Sequence, residues 1–162
     1  MKYFEFFLLM LSYQTFSQIN NKVVDFNFSI PCKLIYTRTI ENLDNYSCNY
    51  IDSSILQNYS VTINEYKNKI NNFSDEQKLI FKREYLQTEY KLSIKLNEST
   101  IFFRNDELGE GVISNSKILF EGINYHIKTI LILFNNIAYY FNITTNEYVS
   151  DDNFINKITV IK

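Results

Sequence analysis

Few residues in this chain are equipped for chemistry. It has one histidine, two cysteines and 18 carboxylates. A Ser-His-Asp triad would have to use His126, the one side chain whose ordinary pKa lies near neutrality. No Gly-x-Ser-x-Gly elbow is present to expose a nucleophile. His126 lies between Tyr125 and Ile127 in an alternating run and reads as a partly exposed strand residue. A Cys-His pair would need Cys32 or Cys48 as a free thiol. A zinc site draws on several Cys and His ligands, and these three are scattered. Asp106, Glu107 and Glu110 could hold a hard cation, but they lack the Asp-x-Asp-x-Asp-Gly spacing of a calcium loop and read as a solvated acidic turn. No phosphate loop or dinucleotide fingerprint occurs. A carboxylate pair for glycoside chemistry stays open, since spacing in space is not legible from order in sequence. The sequence therefore assigns no catalytic, cofactor-binding or metal-binding residue, and the expectation is a chain without cofactor.

The cysteines are informative through the compartment they imply. Residues 1–17 have the form of a secretory signal peptide. Lys2 gives the positive start, Phe4 to Leu11 the apolar run, and Thr15-Phe16-Ser17 a small-x-small cleavage signal before Gln18. The competing reading is a retained N-terminal helix, given Glu5 and the polar Ser12-Tyr13-Gln14. The run is short for a membrane span, and no cysteine follows it to carry a lipoprotein anchor. The expectation is a periplasmic or secreted protein, a signal peptide at 1–17, one α+β domain at 18–162, and no membrane span after cleavage. Export to an oxidising compartment predicts a Cys32–Cys48 disulfide. The alternative is two buried thiols packed as small hydrophobes. A hairpin turning at Glu41–Asn45 does not set the two opposite each other, so the bond requires the Leu34–Ile40 segment to bend.

Composition narrows the partners. Formal net charge is −2, with 16 basic against 18 acidic residues, and no basic patch stands out. Nucleic-acid binding is not expected. Hydrophobic content of 46% and aromatic content of 17% give enough apolar surface for a packed core. Asn-x-Ser/Thr sequons occur at Asn27, Asn45, Asn58, Asn72, Asn97 and Asn142. They matter only where a glycosylation machinery meets the chain.

The elements that must position any site centre on Lys117 to Thr145. Tyr125 to Phe134 and Ile137 to Thr145 are rich in β-branched and large apolar residues. Asn135-Asn136 between them suits a two-residue primed turn, since Asn tolerates positive φ. That turn predicts Phe134 opposite Ile137, Ile132 opposite Tyr139 and Ile130 opposite Phe141. One face then carries those six residues with Ile143. The other carries Tyr125, Ile127, Thr129, Leu131, Leu133, Ala138 and Tyr140. Both faces are apolar, so the hairpin belongs mid-sheet, covered on both sides.

Val23 to Ile30 alternates and reads as one half-buried strand before Pro31. Leu34 to Ile40, Tyr46 to Ile51 and Tyr59 to Tyr66 read as strands, with a polar turn at Glu41 to Asn45. Ser74-Asp75-Glu76-Gln77 is a capping box opening a helix to about Lys91. Leu79, Leu86 and Tyr90 form its apolar stripe, widened by Phe81 and Tyr85, and Lys67 to Phe73 could add a turn before it. Leu92 to Asn97 and Thr100 to Arg104 read as short strands. Asn105 to Gly111 reads as an acidic loop, and Val112 to Ser116 and Lys117 to Glu121 as strands. A short helix is expected at Asp151 to Lys157, and a last strand or helix end at Ile158 to Ile161.

This order of elements resembles a known family. The opener Phe26-Asn-Phe-Ser-Ile-Pro31, the long helix, the meander and the closing Asp152-Asn-Phe-Ile-Asn-Lys-Ile-Thr-Val160 are similar to the PsbP/Mog1-like sandwich of small secreted Bacteroidetes-type proteins. The chain lacks the family's Trp after the opening Pro and has Thr159 where Ser is common. The resemblance implies an α/β/α sandwich around a mainly antiparallel sheet, with one long helix at about 74–91 and a short C-terminal helix. It implies an accessory or binding role with a protein or envelope component as partner. The expected function is a non-enzymatic secreted or periplasmic binding protein. The alternatives are a small extracellular hydrolase using carboxylates and an envelope immunity-type interaction protein. A cleft with two close acids, or His126 beside an acid and a hydroxyl, would favour the hydrolase. An exposed Tyr/Phe patch would favour the interaction protein.

Overall fold

A computed structural model describes residues 18–40, 43–52, 55–66, 70–147 and 154–161. The expected signal peptide lies outside the described residues, as do Glu41, Asn42, residues 67–69 and residues 148–153. The strands are β1 (Ile19–Val23), β2 (Phe26–Ile30), β3 (Ile35–Ile40), β4 (Leu43–Asp52), β5 (Ile55–Glu65), β6 (Ser99–Asn105), β7 (Gly109–Phe120), β8 (Ile123–Phe134), β9 (Ile137–Thr145) and β10 (Ile158–Val160). The long helix α1 (Asp75–Leu96) interrupts them, and a 3-10 turn spans Phe154–Lys157. The class is α+β: a long helix packed on a mostly antiparallel sheet.

A seven-stranded sheet runs β3-β4-β5-β9-β8-β7-β6. The expected hairpin is its middle. Phe134 pairs with Ile137, Ile132 with Tyr139 and Ile130 with Phe141. Asn135 and Asn136 have φ of 48° and 62°, as a primed turn requires. The two faces separate into two cores. Ile130, Ile132, Tyr139 and Phe141 pack with Phe26, Phe28 and Ile30 of the small sheet β1-β2-β10. Leu131, Leu133 and Ala138 pack on the other side with Tyr66, Ile70 and Leu86. The small sheet and its neighbouring 3-10 turn thus form one covering layer and α1 the other.

Five local readings change. Val23–Ile30 is two strands, not one. Val24 and Asp25 form the turn between them, Val24 at φ 47° and 50% exposed rather than on the core face. Asp25 anchors that turn by accepting a 2.7 Å hydrogen bond from the Tyr139 hydroxyl. Leu92 to Leu96 belongs to α1, not to a strand. No Gly or Pro lies between Lys91 and Asn97, so the helix continues until Asn97, whose N–H donates to the Ser93 carbonyl. Leu79 is 49% exposed, because α1 docks through Phe81, Tyr85, Leu86 and Tyr90. The start of α1 is as expected: the Ser74 hydroxyl accepts from Gln77 N–H, and the Ser74 N–H donates to the Gln77 side chain. Leu43 to Asn45 is strand in β4 rather than turn. Asn105 to Gly111 is tighter than a loop, a turn at 106–108 leading straight into β7.

Candidate functional site

Cys32 and Cys48 are disulfide-bonded, with Cα atoms 6.0 Å apart. β3 pairs with β4 in one register at Tyr36 and shifts by one residue before Arg38. This bulge is the required bend. Buried Asn21 fixes the approach: its side-chain N–H groups donate to the Ile19 and Cys32 carbonyls at 3.0 Å, and its oxygen accepts from Leu34 N–H at 2.7 Å. The bond braces one sheet edge.

The other expected candidates do not converge. His126 is partly buried in β8, between Lys117 and Thr145 in the ladder. Asp106 and Glu107 are exposed in a turn closed by Asn105, whose side-chain oxygen accepts from Glu107 and Leu108 N–H groups at 2.8 and 3.0 Å. Glu110 alone turns elsewhere, into a cleft. Among the described residues no cluster of three or more His, Cys, Asp or Glu is arranged to hold a metal. Of the sequons, Asn45, Asn58 and Asn142 are hydrogen-bonded to neighbouring strands and Asn72 is exposed.

The cleft lies between α1 and the outer strand β6, with a volume of about 340 Å³. Arg83, Leu86 and Gln87 line it from α1, Phe102, Phe103 and Arg104 from β6, and Glu110 from β7. The helical trio falls at i, i+3 and i+4, hence on one face. Leu86 is buried, and the Phe102 ring stacks on Tyr90 at a centroid distance of 4.3 Å. On the opposite face of the sheet, Gly111 makes room for Phe103. A Cβ there would collide with the Leu131 carbonyl and the Phe103 ring, so only glycine lets Phe103 lie across the sheet. Charge is uneven: two guanidinium groups face one carboxylate. Arg104 and Glu110 are ladder partners, yet among the described residues neither Arg83 nor Arg104 has an ion-pair partner within 4.0 Å. Such a site offers two forked donors above an apolar floor.

Beside the cleft, under α1, lies a polar network. The Tyr85 and Tyr140 hydroxyls share a 2.7 Å hydrogen bond, and Glu89 and Asn64 also take part. Burial raises the Glu89 carboxyl, partly offset by its hydrogen bond to Tyr140. Burial also raises Tyr85 and Tyr140, and pushes Tyr66 up to about 12. The Tyr66 hydroxyl is buried without a hydrogen-bond partner among the described residues. Burial disfavours the charged form of each of these groups, and their hydrogen bonds fix the helix on the sheet.

Sequence reasoning did not find the cleft. Arg83 and Gln87 flank Leu86 on α1, but basic and amide residues on a helix are ordinary surface. Arg104 joins them only because the chain reverses after Asn97 and returns as β6.

No family model and no curated protein matches the chain. Among solved structures it is similar to a crystal structure from Bacteroides thetaiotaomicron VPI-5482, with TM-score 0.45 and 15% identity over 85% of this chain and 45% of that one. The chain therefore spans less than half the length of that structure. It is also similar to PA94 from Pseudomonas aeruginosa, a protein of unknown function described as a putative regulator, with TM-score 0.39 and 8% identity over 79% of this chain and 82% of that one. Likeness at this level assigns no activity.

Proposed function

We propose that the chain is a secreted or periplasmic, non-enzymatic binding protein whose ligand site is the α1–β6 cleft. Its ligand carries an anionic group on an apolar body. One observation carries this reading: Arg83 and Arg104 line an apolar cleft with no ion-pair partner among the described residues. A guanidinium without an ion-pair partner beside partly exposed aromatic surface is well matched to a carboxylate or phosphate. The cleft brings in one acid, Glu110, where a glycosidase needs two. The Cys32–Cys48 bond supports an oxidising compartment. No described helix is long and apolar enough to cross a membrane. Membership among the PsbP/Mog1-like sandwiches is part of the same proposal, since those proteins act as accessory or binding proteins.

The test uses anilinonaphthalene sulfonate, whose emission is easily read in a chain without Trp. Arg83→Ala/Arg104→Ala should weaken its binding about tenfold or more, while Lys91→Ala, on an exposed face of α1, should not. Equal binding by both variants would refute the assignment. Mass spectrometry of protein from its native host should show a mature N-terminus at Gln18; a retained Met1 would refute export with cleavage.

A second reading, an envelope interaction protein, has its own support. β7 and β8 continue past their neighbours as a two-stranded ribbon turning at Glu121-Gly122. Its tip exposes Ile118, Leu119, Phe120 and Ile123. Leu119→Ser/Phe120→Ser should abolish capture of a partner if the ribbon is the docking surface, and leave anilinonaphthalene sulfonate binding unchanged.

A further inference from the structure

We infer that the natural occupant of the cleft is an extended acidic peptide segment of another protein, added as an eighth strand along β6. This rests on the cleft being the ligand site and names its ligand class. The lining residues give the first reason. Phe102, Phe103 and Arg104 are consecutive. Side chains of a strand alternate between faces, so Phe102 and Arg104 reach the cleft from the helix side of the sheet and Phe103 reaches it through its backbone. β6 is also the outer strand of the sheet, paired among the described residues with β7 alone. Every second residue therefore points its N–H and C=O groups outward, a template for another strand.

The two edges of the sheet differ. At β3 the register is broken between Tyr36 and Arg38, and the start of the strand is held by the disulfide and by Asn21. β6 pairs residue for residue from Ser99 to Asn105 with no shift and no proline. Ile101 and Phe102, on opposite faces of this open edge, are 57% and 49% exposed. An added strand would cover both. Its backbone would supply affinity, and its alternate side chains specificity.

Charge selects the occupant. A second copy pairing β6 to β6 would bring two pairs of guanidinium groups to one seam. An acidic strand instead places carboxylates on the helix-side face, where Arg104 and Phe102 point, and its apolar residues beside Ile101 and Phe103.

The probe is a fluorescein-labelled seven-residue peptide of alternating valine and glutamate, followed by anisotropy with the full domain. The expected result is saturable binding, weakened tenfold or more by Arg83→Ala/Arg104→Ala. Two N-methylated versions, each methylated on one alternate set of amides, should differ: one loses tenfold or more, and the other binds as the parent. Dodecanoate, an anion with an apolar tail and no peptide edge, separates the two claims. If dodecanoate binds but the peptide does not, or if both N-methylated peptides bind as the parent, strand addition is overturned and the cleft assignment stands. If neither dodecanoate nor the peptide binds, both fail. A dimer in sedimentation that the peptide does not dissolve would give the edge to a second copy and overturn the proposal.

Discussion

Replacing both cysteines, Cys32→Ala/Cys48→Ala, isolates what the disulfide contributes. The bond closes a loop with a sequence separation of 16. In the chain-entropy model a loop of this size restricts the unfolded chain by about 3 kcal/mol. The native side should change little, because Asn21 holds the Cys32 carbonyl and Leu34 N–H independently of the sulfurs. Both cysteines also pack against the main core, and their truncation adds a smaller packing loss. The variant should thus lose about 3–4 kcal/mol. With a urea slope of about 1–3 kcal/mol/M, the midpoint falls by roughly 1–4 M. Wild type denatured in urea with and without reductant gives the same comparison without mutation. A loss below about 1 kcal/mol, or two free thiols in denatured unreduced protein, would refute the account.

Phe141→Ala should cost about 3–5 kcal/mol in chemical denaturation, since Phe141 is buried with edge-on contacts to Phe26 and Phe28 at 5.7 and 5.5 Å. Asn146→Ala should cost about 1 kcal/mol, because it removes the hydrogen bond that the Asn146 side chain accepts from Leu56 N–H at 2.8 Å. Val24→Gly should stabilise by roughly 0.5–1 kcal/mol, as a β-branched residue at φ 47° is strained and glycine is not; a loss of stability would show that Val24 packs. Burial raises Glu89, so its neutral form favours the fold: that stability is complete below the ordinary glutamate pKa and is lost as pH rises through the raised folded value. Glu89→Gln should flatten this acid-to-neutral decline, and an unchanged slope would contradict it.

The parts of the fold written in local chemistry were legible. Asn135-Asn136 specifies a positive-φ turn, and that turn alone sets the register of β8 on β9 and both core faces. Ser74 and Gln77 mark the start of α1 in the same way. Elements whose signal is tertiary were not legible. Nothing in Val24-Asp25 announces a turn; the Tyr139 hydroxyl, far along the chain, holds it. Leu92-Ser-Ile-Lys-Leu96 alternates like a strand, yet it continues a helix already nucleated. The cleft is a product of topology: Arg83 and Arg104 sit on different elements, and no spacing rule links them.

The most direct measurement is a ¹⁵N chemical-shift titration of the folded domain with dodecanoate, including the Arg Nε–H resonances. The account predicts saturable shifts at the side chains of Arg83 and Arg104 and at the amides of Leu86, Gln87 and Phe103. Shifts confined to the ribbon tip around Leu119 and Phe120, with both arginines unmoved, would contradict it.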